Sequence, residues 1–418
     1  MFVLNLVTKA LVVFLLLAVQ AAAEPSPKVA HNDPIEIDKG LTLGKVIDLT
    51  IEKFPDAVWL NALEAEAKAI RKRGESWTAG PMEAGLRFQE ATSGTLHYID
   101  ATVQVPLWNL GQRDAEQKFG MTAENSAGQQ AKATKLRVAG LVRGALWDMD
   151  LQQVRYEQAR AEIEVFEQLL AKVERRVELG DLPRADVLLA QTELLQKLSV
   201  LTQAEAELMH ARKRYSNITQ LTKVPATYQE KLVDLKKIEF NHPSFVAMNS
   251  QIERKQAEIK AFSLQGSGQT NVVVGVNSDR ASNNDPRTND TESFNIGVNI
   301  PFGGGDYYAP QVAALNVELN RLIADREQLY RDLELAHHEA EHNLEVNEAE
   351  LEIANELKRV AEEHLQMMEL SFSAGQISLM DLLKTQSRTQ QAILSAKERA
   401  IMLERDIALY NQAVGVLP

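Results

Sequence analysis

The chain has no cysteine among its 418 residues. That excludes disulfides, thiolate metal ligands, a thiol nucleophile and a thiol for lipid attachment. Aromatic residues are scarce, at 6%. With 25% charged residues and abundant Ala, Leu, Glu, Gln and Lys, the composition suits long helices packed through narrow seams, not a bulky globular core. Beyond the first residues no stretch approaches eighteen consecutive apolar positions, so no helical membrane span is expected. A phosphate-cradling loop is also missing. The three consecutive glycines of GVNIPFGGGDYY (297–308), Gly303 to Gly305, follow an alternating segment, and no Lys-Ser/Thr comes after them. Excess positive charge is absent too: the net charge of −13 repels nucleic acid and favours cations. No enzymatic chemistry and no cofactor are expected.

What is present begins with MFVLNLVTKALVVFLLLAVQAAA at 1–23, which reads as a secretory signal peptide. It has Lys9, an apolar run from Ala10 to Val19, too short for a retained anchor, and Ala21-Ala22-Ala23 as a small-residue cleavage site. The mature chain would start at Glu24; losing Lys9 takes its charge to −14. An exported chain without helical spans can still enter a membrane as a β-barrel.

Two stretches interrupt long helical patterns in the same way, RVELGDLPRADVLL (176–189) and SFSAGQISLMDLL (371–383). In each, a Gly precedes an Asp by six positions, Gly180 to Asp186 and Gly375 to Asp381, and the offset between them is 195. The same offset places VQVPLW (103–108) on VNIPFG (298–303) and Pro106 on Pro301. Further upstream KFPDAV (53–58) matches NHPSFV (241–246) at an offset of 188, which fits one longer loop in the second half. The landmarks imply an internal duplication. Repeat 1 covers 24–220, with strands at about 85–106 and a helical hairpin at about 112–215; repeat 2 covers 221–418, with strands at about 270–302 and a hairpin at about 309–417.

Each repeat opens with a helix, over about 42–73 and 242–264, for which Thr42 suits a cap and Pro243 a first-turn position. Alternation then predicts strands. Leu86 and Phe88 alternate with Arg87 and Gln89; Ile99, Ala101, Val103 and Val105 alternate with Asp100, Thr102 and Gln104. In the second repeat Val272, Val274 and Val276 are followed by Phe294, Ile296, Val298 and Ile300 opposite Asn295, Gly297 and Asn299. One greasy and one wet face in an exported chain point to a lipid-facing barrel. SDRASNNDPRTNDTES (278–293) reads as a long polar loop, and its aspartates as solvation rather than a calcium loop. Long helices follow over about 112–179 and 309–374. Heptad seams run through Val142, Met149, Tyr156, Ile163, Leu170 and Val177, and through Ala145, Gln152, Ala159, Phe166 and Val173. Val187, Leu194, Leu201, Leu208 and Tyr215 continue the period. In the last helix Leu379, Ile393, Ala400, Ile407 and Val414 face Leu382, Ala396, Leu403, Tyr410 and Leu417. A helix of this size is about 100 Å long at 1.5 Å per residue, far more than a compact domain needs.

Four barrel-like strands cannot close alone, whereas strands pooled from several chains would hide every edge. With that, the sequence resembles the TolC-type outer membrane efflux family over nearly the whole mature chain. The resemblance is carried by LTLGKVIDLTIEKFPDAV, VQVPLWNLGQRDAE and ELGDLPRADVLLAQTEL in the first half. In the second it is carried by HPSFVAMNSQIERKQAEIKA, FNIGVNIPFGGG, SAGQISLMDLLKTQ and ALYNQAVGVL. It implies a mainly α chain with a transmembrane β part. Three copies would form a homotrimer that closes one twelve-stranded barrel in outer membrane lipid and continues as a periplasmic coiled-coil tunnel. A periplasmic adaptor would dock at the far end and connect it to an inner-membrane pump of the RND or ABC type.

Under that resemblance Gly180, Asp181 and Leu182, with Gly375, Gln376 and Ile377, become the periplasmic tips that form the closable mouth and meet the adaptor. Glycine also suits the left-handed residue that ends a helix, and Asp186 and Asp381 suit the starts of the returning helices. A carboxylate repeated around the mouth would make a cation-favouring ring. Asp381 is the first choice, followed by Asp186, Asp181 and Glu178. Lys384 stands one turn after Asp381, where family members can carry a second acid. Pro106, Gly111, Pro301, Gly303, Gly304 and Gly305 mark the passage from barrel to tunnel; Gly303–Gly305 read as a flexible passage, with Asn109-Leu110-Gly111 in the same role in the first repeat. His338 and His342, four apart in HHEAEH, have a metal-compatible spacing, with His364, Met367 and Met368 further along; they read better as a solvated face, so no metal site is assigned. The function implied is a passive exit duct, or, on the same architecture, the outlet of a type I protein secretion system. A periplasmic adaptor would carry one hairpin, and a soluble coiled coil would leave the strands unexplained.

Overall fold

A computed structural model describes residues 35–92, 96–235, 237–281 and 290–418. The leader lies outside the described residues, as do 282–289 with Asp285 of the polar loop. The chain opens with β1 (Glu36–Asp38), α1 (Leu43–Lys53) and α2 (Asp56–Glu75). The Thr42 hydroxyl accepts the Lys45 amide at 3.3 Å, capping α1, which buries Leu43, Val46, Ile47 and Thr50 on one helical face. The single helix expected over 42–73 is therefore two. Phe54 precedes Pro55 and is forced extended, at ψ 142°, which ends α1.

Strands β2 (Glu83–Glu90) and β3 (Leu96–Leu107) follow, then the long helices α3 (Gln112–Glu178) and α4 (Arg184–Thr219). Strand β4 (Lys223–Pro225) pairs with β1. Next come α5 (Pro243–Ser263), β5 (Thr270–Ala281), β6 (Thr291–Asn299), α6 (Gly305–Ser373) and α7 (Leu379–Ala413). The His242 Nδ1 accepts the Ser244 amide at 3.2 Å and caps α5, with Pro243 in its first turn. A helical segment, broken in the first half and single in the second, then two strands and two long helices thus occur twice. The polar loop expected over 278–293 is shorter, because 278–281 and 291–293 are strand; β6 also ends before Ile300, and α6 starts at 305 instead of 309.

By spatial contact the chain divides into two compact units, each drawing on both halves of the sequence. One gathers 145–217 and 350–402; its core is built from Phe166, Val173, Ala190, Phe372, Leu379, Leu382 and Leu383. The other contains 37–144, 218–349 and 403–418. The heptad reading locates most of the buried seam: Val142, Ala145, Ile163, Phe166 and Val173 are buried, as are Leu208 and Tyr215. Ala400 is the exception and faces solvent.

In the second unit a charged node sits where the sequence offered no hint. Arg143 is buried within the apolar run AGLVRGALW. Its Nε and Nη2 donate to both carboxylate oxygens of Glu230 at 2.7 and 2.6 Å, and Nη1 donates to Gln412 Oε1 at 2.6 Å. Nη2 also reaches the Val416 carbonyl at 3.1 Å. A buried pair satisfied this fully ties the segment after β4 and the end of α7 onto α3, and losing either partner would strand a charge.

Candidate functional site

The four longer strands form one antiparallel sheet in the order β2-β3-β5-β6. Its register aligns several rows of side chains of one character. Leu86, Ala101, Val276 and Phe294 form one row, and Ala84, Val103, Val274 and Ile296 the next. The intervening rows, Gly85-Thr102-Gly275-Asn295 and Arg87-Asp100-Asn277-Ser293, lie on the opposite face. The apolar face is unprotected: Leu86 is 80% exposed, Ile296 68% and Phe294 67%. A contiguous greasy face of this kind needs a lipid or protein cover. Strands β2 and β6 are both edges without a partner strand among the described residues.

Below the sheet, the residues expected to lead from strand to helix are held by specific contacts. Pro106 sits within β3, and its carbonyl accepts the Ala79 amide at 3.0 Å. Asn109 is not a loose linker. Its Nδ2 donates to the carbonyls of Leu264, Gln265 and Gly268 at 3.3, 2.9 and 3.0 Å, fastening the first repeat to the turn after α5. Gly111 and Gly303 both take φ +74°, the left-handed region open to glycine. The Gly304 amide donates to Ser267 Oγ at 2.9 Å, and a Cβ there would lie 2.9 Å from the Ser267 Cα, so only glycine allows the approach. Gly305 is the first residue of α6, and Pro301 packs over Gly268.

At the hairpin tips Gly180 and Gly375 adopt φ +81° and +71°. Each closes its helix with the same pair of backbone bonds. The Gly180 amide reaches the Val177 carbonyl and the Asp181 amide the Arg176 carbonyl, at 3.0 and 2.8 Å. The Gly375 amide reaches Phe372 and the Gln376 amide Ser371, at 3.0 and 2.9 Å. Gly180, Asp181, Gly375, Gln376, Asp381 and Lys384 are exposed, and Asp186 is half-buried. Leu182 and Ile377 pack against the core around Phe372, so both tips share one apolar cluster.

Three residues at the tips escaped the sequence reading. The Ser378 hydroxyl donates to Asp381 Oδ2 at 2.7 Å and accepts the Asp381 amide at 3.2 Å. This serine–aspartate pair holds the first turn of α7, and its signal, Ser-x-x-Asp before an apolar run, was present at 378–381. Arg176 and Phe372 left no such signal. The Arg176 guanidinium donates to the Phe372 carbonyl at 2.9 Å and lies 4.8 Å from its ring centroid. It joins the end of α3 to the end of α6. Glu178 pairs with Arg175 at 3.1 Å on the surface.

His338 and His342 stack with ring centroids 6.4 Å apart, and both are exposed. Among the described residues no three His, Asp or Glu side chains converge as a metal site. Their neighbour His337 is buried instead, with Nε2 at 3.3 Å from the Leu235 carbonyl and 3.4 Å from the Tyr410 hydroxyl. No helix among the described residues is long and apolar enough to cross a membrane.

No protein-family model and no curated protein matches the chain. Solved structures do. CusC, whose crystal structures concern folding and transmembrane channel formation, is 12% identical, with a TM-score of 0.72 over 95% of this chain and 98% of that one. The CmeC outer membrane channel of Campylobacter jejuni is 10% identical, with a TM-score of 0.71 over 94% and 90%. The outer membrane protein VceC of Vibrio cholerae is 12% identical, with a TM-score of 0.67 over 90% and 97%. Likeness at this level of identity establishes the fold. It is that of outer membrane channels, the fold expected from the resemblance to the TolC-type family.

Proposed function

We propose that the chain is the outer membrane exit duct of a tripartite efflux system, a homotrimer that passively conducts substrates handed on by a periplasmic adaptor and an inner-membrane pump. The observation that carries this reading is the open sheet. All three pairings are antiparallel, so β2 and β6 run in opposite directions. Edge β6 of one copy can therefore pair antiparallel with β2 of the next while the apolar rows stay on one face. Three copies would give an even strand number with no free edge, an apolar band toward lipid and a wet lumen. The helical hairpins would line a tunnel in the periplasm, with Gly180, Asp181, Leu182, Gly375, Gln376 and Ile377 at its mouth. Energy would come from the partner pump.

Outer membrane fractionation, with a heat-sensitive trimer on gels, tests the architecture; a soluble monomer would overturn it. Deleting the protein and challenging cells with metals, dyes, detergents and antibiotics tests efflux. Unchanged tolerance to all of them would move the assignment to a protein-secretion outlet. At the mouth, Asp381 keeps its carboxylate exposed while bonding Ser378. Asp381→Asn should lower cation selectivity in a planar bilayer, and an unchanged reversal potential would place the selective ring elsewhere.

A further inference from the structure

The last turn of α7 and the first turn of α5 meet at a buried histidine. His242 is 2% exposed, and a Cβ on Gly415 would lie 2.5 Å from its Cδ2, so ring and helix end are in close contact. Its Nδ1 accepts the Ser244 amide, and its own carbonyl accepts the Phe245 and Val246 amides, both at 2.9 Å. The residue therefore caps α5 and backs the end of α7 at once. Thr42 stands at the matching place in the first repeat. Its hydroxyl accepts the Lys45 amide, and its carbonyl the Val46 amide at 3.0 Å. One of these caps can take up a proton near neutral pH and the other cannot.

Three features oppose a charge on this imidazole. Accepting at Nδ1 requires that nitrogen to be bare, which puts the proton of the neutral ring on Nε2. Nε2 is buried and has no hydrogen-bond partner among the described residues. A second proton would face the Ser244 amide at the positive end of α5, a helix of 21 residues. The surrounding groups offer no counter-charge. Glu239, in the turn before α5, accepts from Asn241 Nδ2 at 2.8 Å with its carboxylate. From α7 the ring meets Gly415 and the Ala413 carbonyl, while Arg143 and Glu230 on the other side of that helix end are bonded to each other. Burial accordingly holds the imidazole below the ordinary histidine range, with the Ala413 carbonyl pulling more weakly the other way.

We propose that His242 is a pH-sensitive clasp: the neutral ring fastens the end of α7 to the start of α5, and acid opens this joint. Opening exposes the imidazole to water, so the opened joint takes up the proton that the closed one resists. Closure is therefore unaffected above about pH 6.5, the ordinary value, and weakens as pH falls below it. Arg143 grips the same end of α7 through Gln412 and the Val416 carbonyl, so acid frees the α5 side while that grip persists. The clasp does not depend on the duct reading and would act whatever the chain conducts.

The test is amide hydrogen exchange on the purified full-length assembly in lipid nanodiscs, with rates corrected for the intrinsic effect of pH. Between pH 7.5 and 5.5, opening at 244–246 and 414–416 should rise about 10-fold, the linkage of one histidine that stays neutral when closed. The amides at 45–46, capped by Thr42, are the internal reference and should not follow. His242→Asn keeps a capping oxygen, cannot titrate, and should abolish the response. Equal changes at 244–246 and 45–46, or a response that survives in His242→Asn, would overturn the proposal. Deuteration of the imidazole Cε1–H in the unaltered chain needs no variant. Its midpoint should fall below 6.5, and a midpoint at or above 6.5 would overturn the proposal as well.

Discussion

At Gly180 and at Gly375 the same pair of backbone bonds closes a long helix, yet the chain restarts differently on the far side. After Gly375 the Ser378–Asp381 pair caps α7 with side chains. After Gly180 the equivalent position is Pro183, which has no hydroxyl; its carbonyl accepts the Asp186 amide at 3.0 Å instead. The inward sides differ as well. An offset of 195 puts buried Phe372 on half-buried Val177 and Ser371 on Arg176. The two tips therefore share the turn and differ in the packing behind it. The second hairpin supplies the aromatic anchor and the first supplies the arginine that grips it. The two aspartates, matched in position, are unequal in setting: Asp381 bonds the Ser378 hydroxyl, while the position matching Ser378 before Asp186 is Pro183.

That inequality is most easily broken at the anchor. Phe372→Ala removes a ring from the shared core and the surface under Arg176, and should cost about 3–5 kcal/mol of local stability. Val177→Ala, its counterpart, should cost about 1–2 kcal/mol, because Val177 is only half-buried and smaller. Amide hydrogen exchange across 165–195 and 365–385 measures both. Equal losses of protection would mean that the two tips are anchored alike.

The helix-ending glycines come next. Gly415 ends α7 at φ +85°, and a Cβ there would lie 2.5 Å from His242 Cδ2 and 2.8 Å from Pro243 Cδ. Gly415→Ala should cost about 3 kcal/mol or more, adding overpacking to backbone strain. At Gly180 and Gly375 nothing lies within 4 Å of the same atom, so Ala should cost about 1–2 kcal/mol at each, equally. A thermal melt of the helical signal ranks the three, and a larger loss at either tip than at Gly415 would contradict the geometry. Smaller still is Ser378→Ala, at about 1 kcal/mol, which should fray the first turn of α7 and leave α4 untouched. Exchange of the amides at 379–382 against those at 184–187 reads this directly.

Period and punctuation make much of the architecture legible in the sequence. Alternation over Val103, Val274 and Ile296 gave the greasy face, and sevenfold spacing through Val142 and Phe166 gave the buried seam. Both are local properties of one strand or helix. Pro55 was in view but was read within a helix, although its effect on Phe54 follows from covalent sterics alone. The Arg143–Glu230 node and the Arg176–Phe372 contact were not legible. Each joins residues 87 and 196 positions apart, and no period connects them. Asn109 was misjudged for a related reason. Asn-Leu-Gly reads as loop chemistry, while the three carbonyls that fix it come from the other repeat.

The smallest effect concerns the point where the repeat is imperfect. Subtracting 195 from Gly415 gives Gln220, which ends α4 at φ +54° and is the one non-glycine with positive φ among the described residues. A left-handed side chain costs about 1–2 kcal/mol, and glycine gives back about 0.5–1 kcal/mol through the freedom of the unfolded chain. Gln220→Gly should therefore stabilise the end of α4 by about 0.5–1 kcal/mol. The bond from Lys53 Nζ survives the change, since it goes to the Gln220 carbonyl, at 3.3 Å. A raised melting temperature would mean that the left-handed Gln220 strains the end of α4, where Gly415 ends α7 without that cost. A lowered one would mean that the Gln220 side chain holds a contact worth more than the strain it imposes.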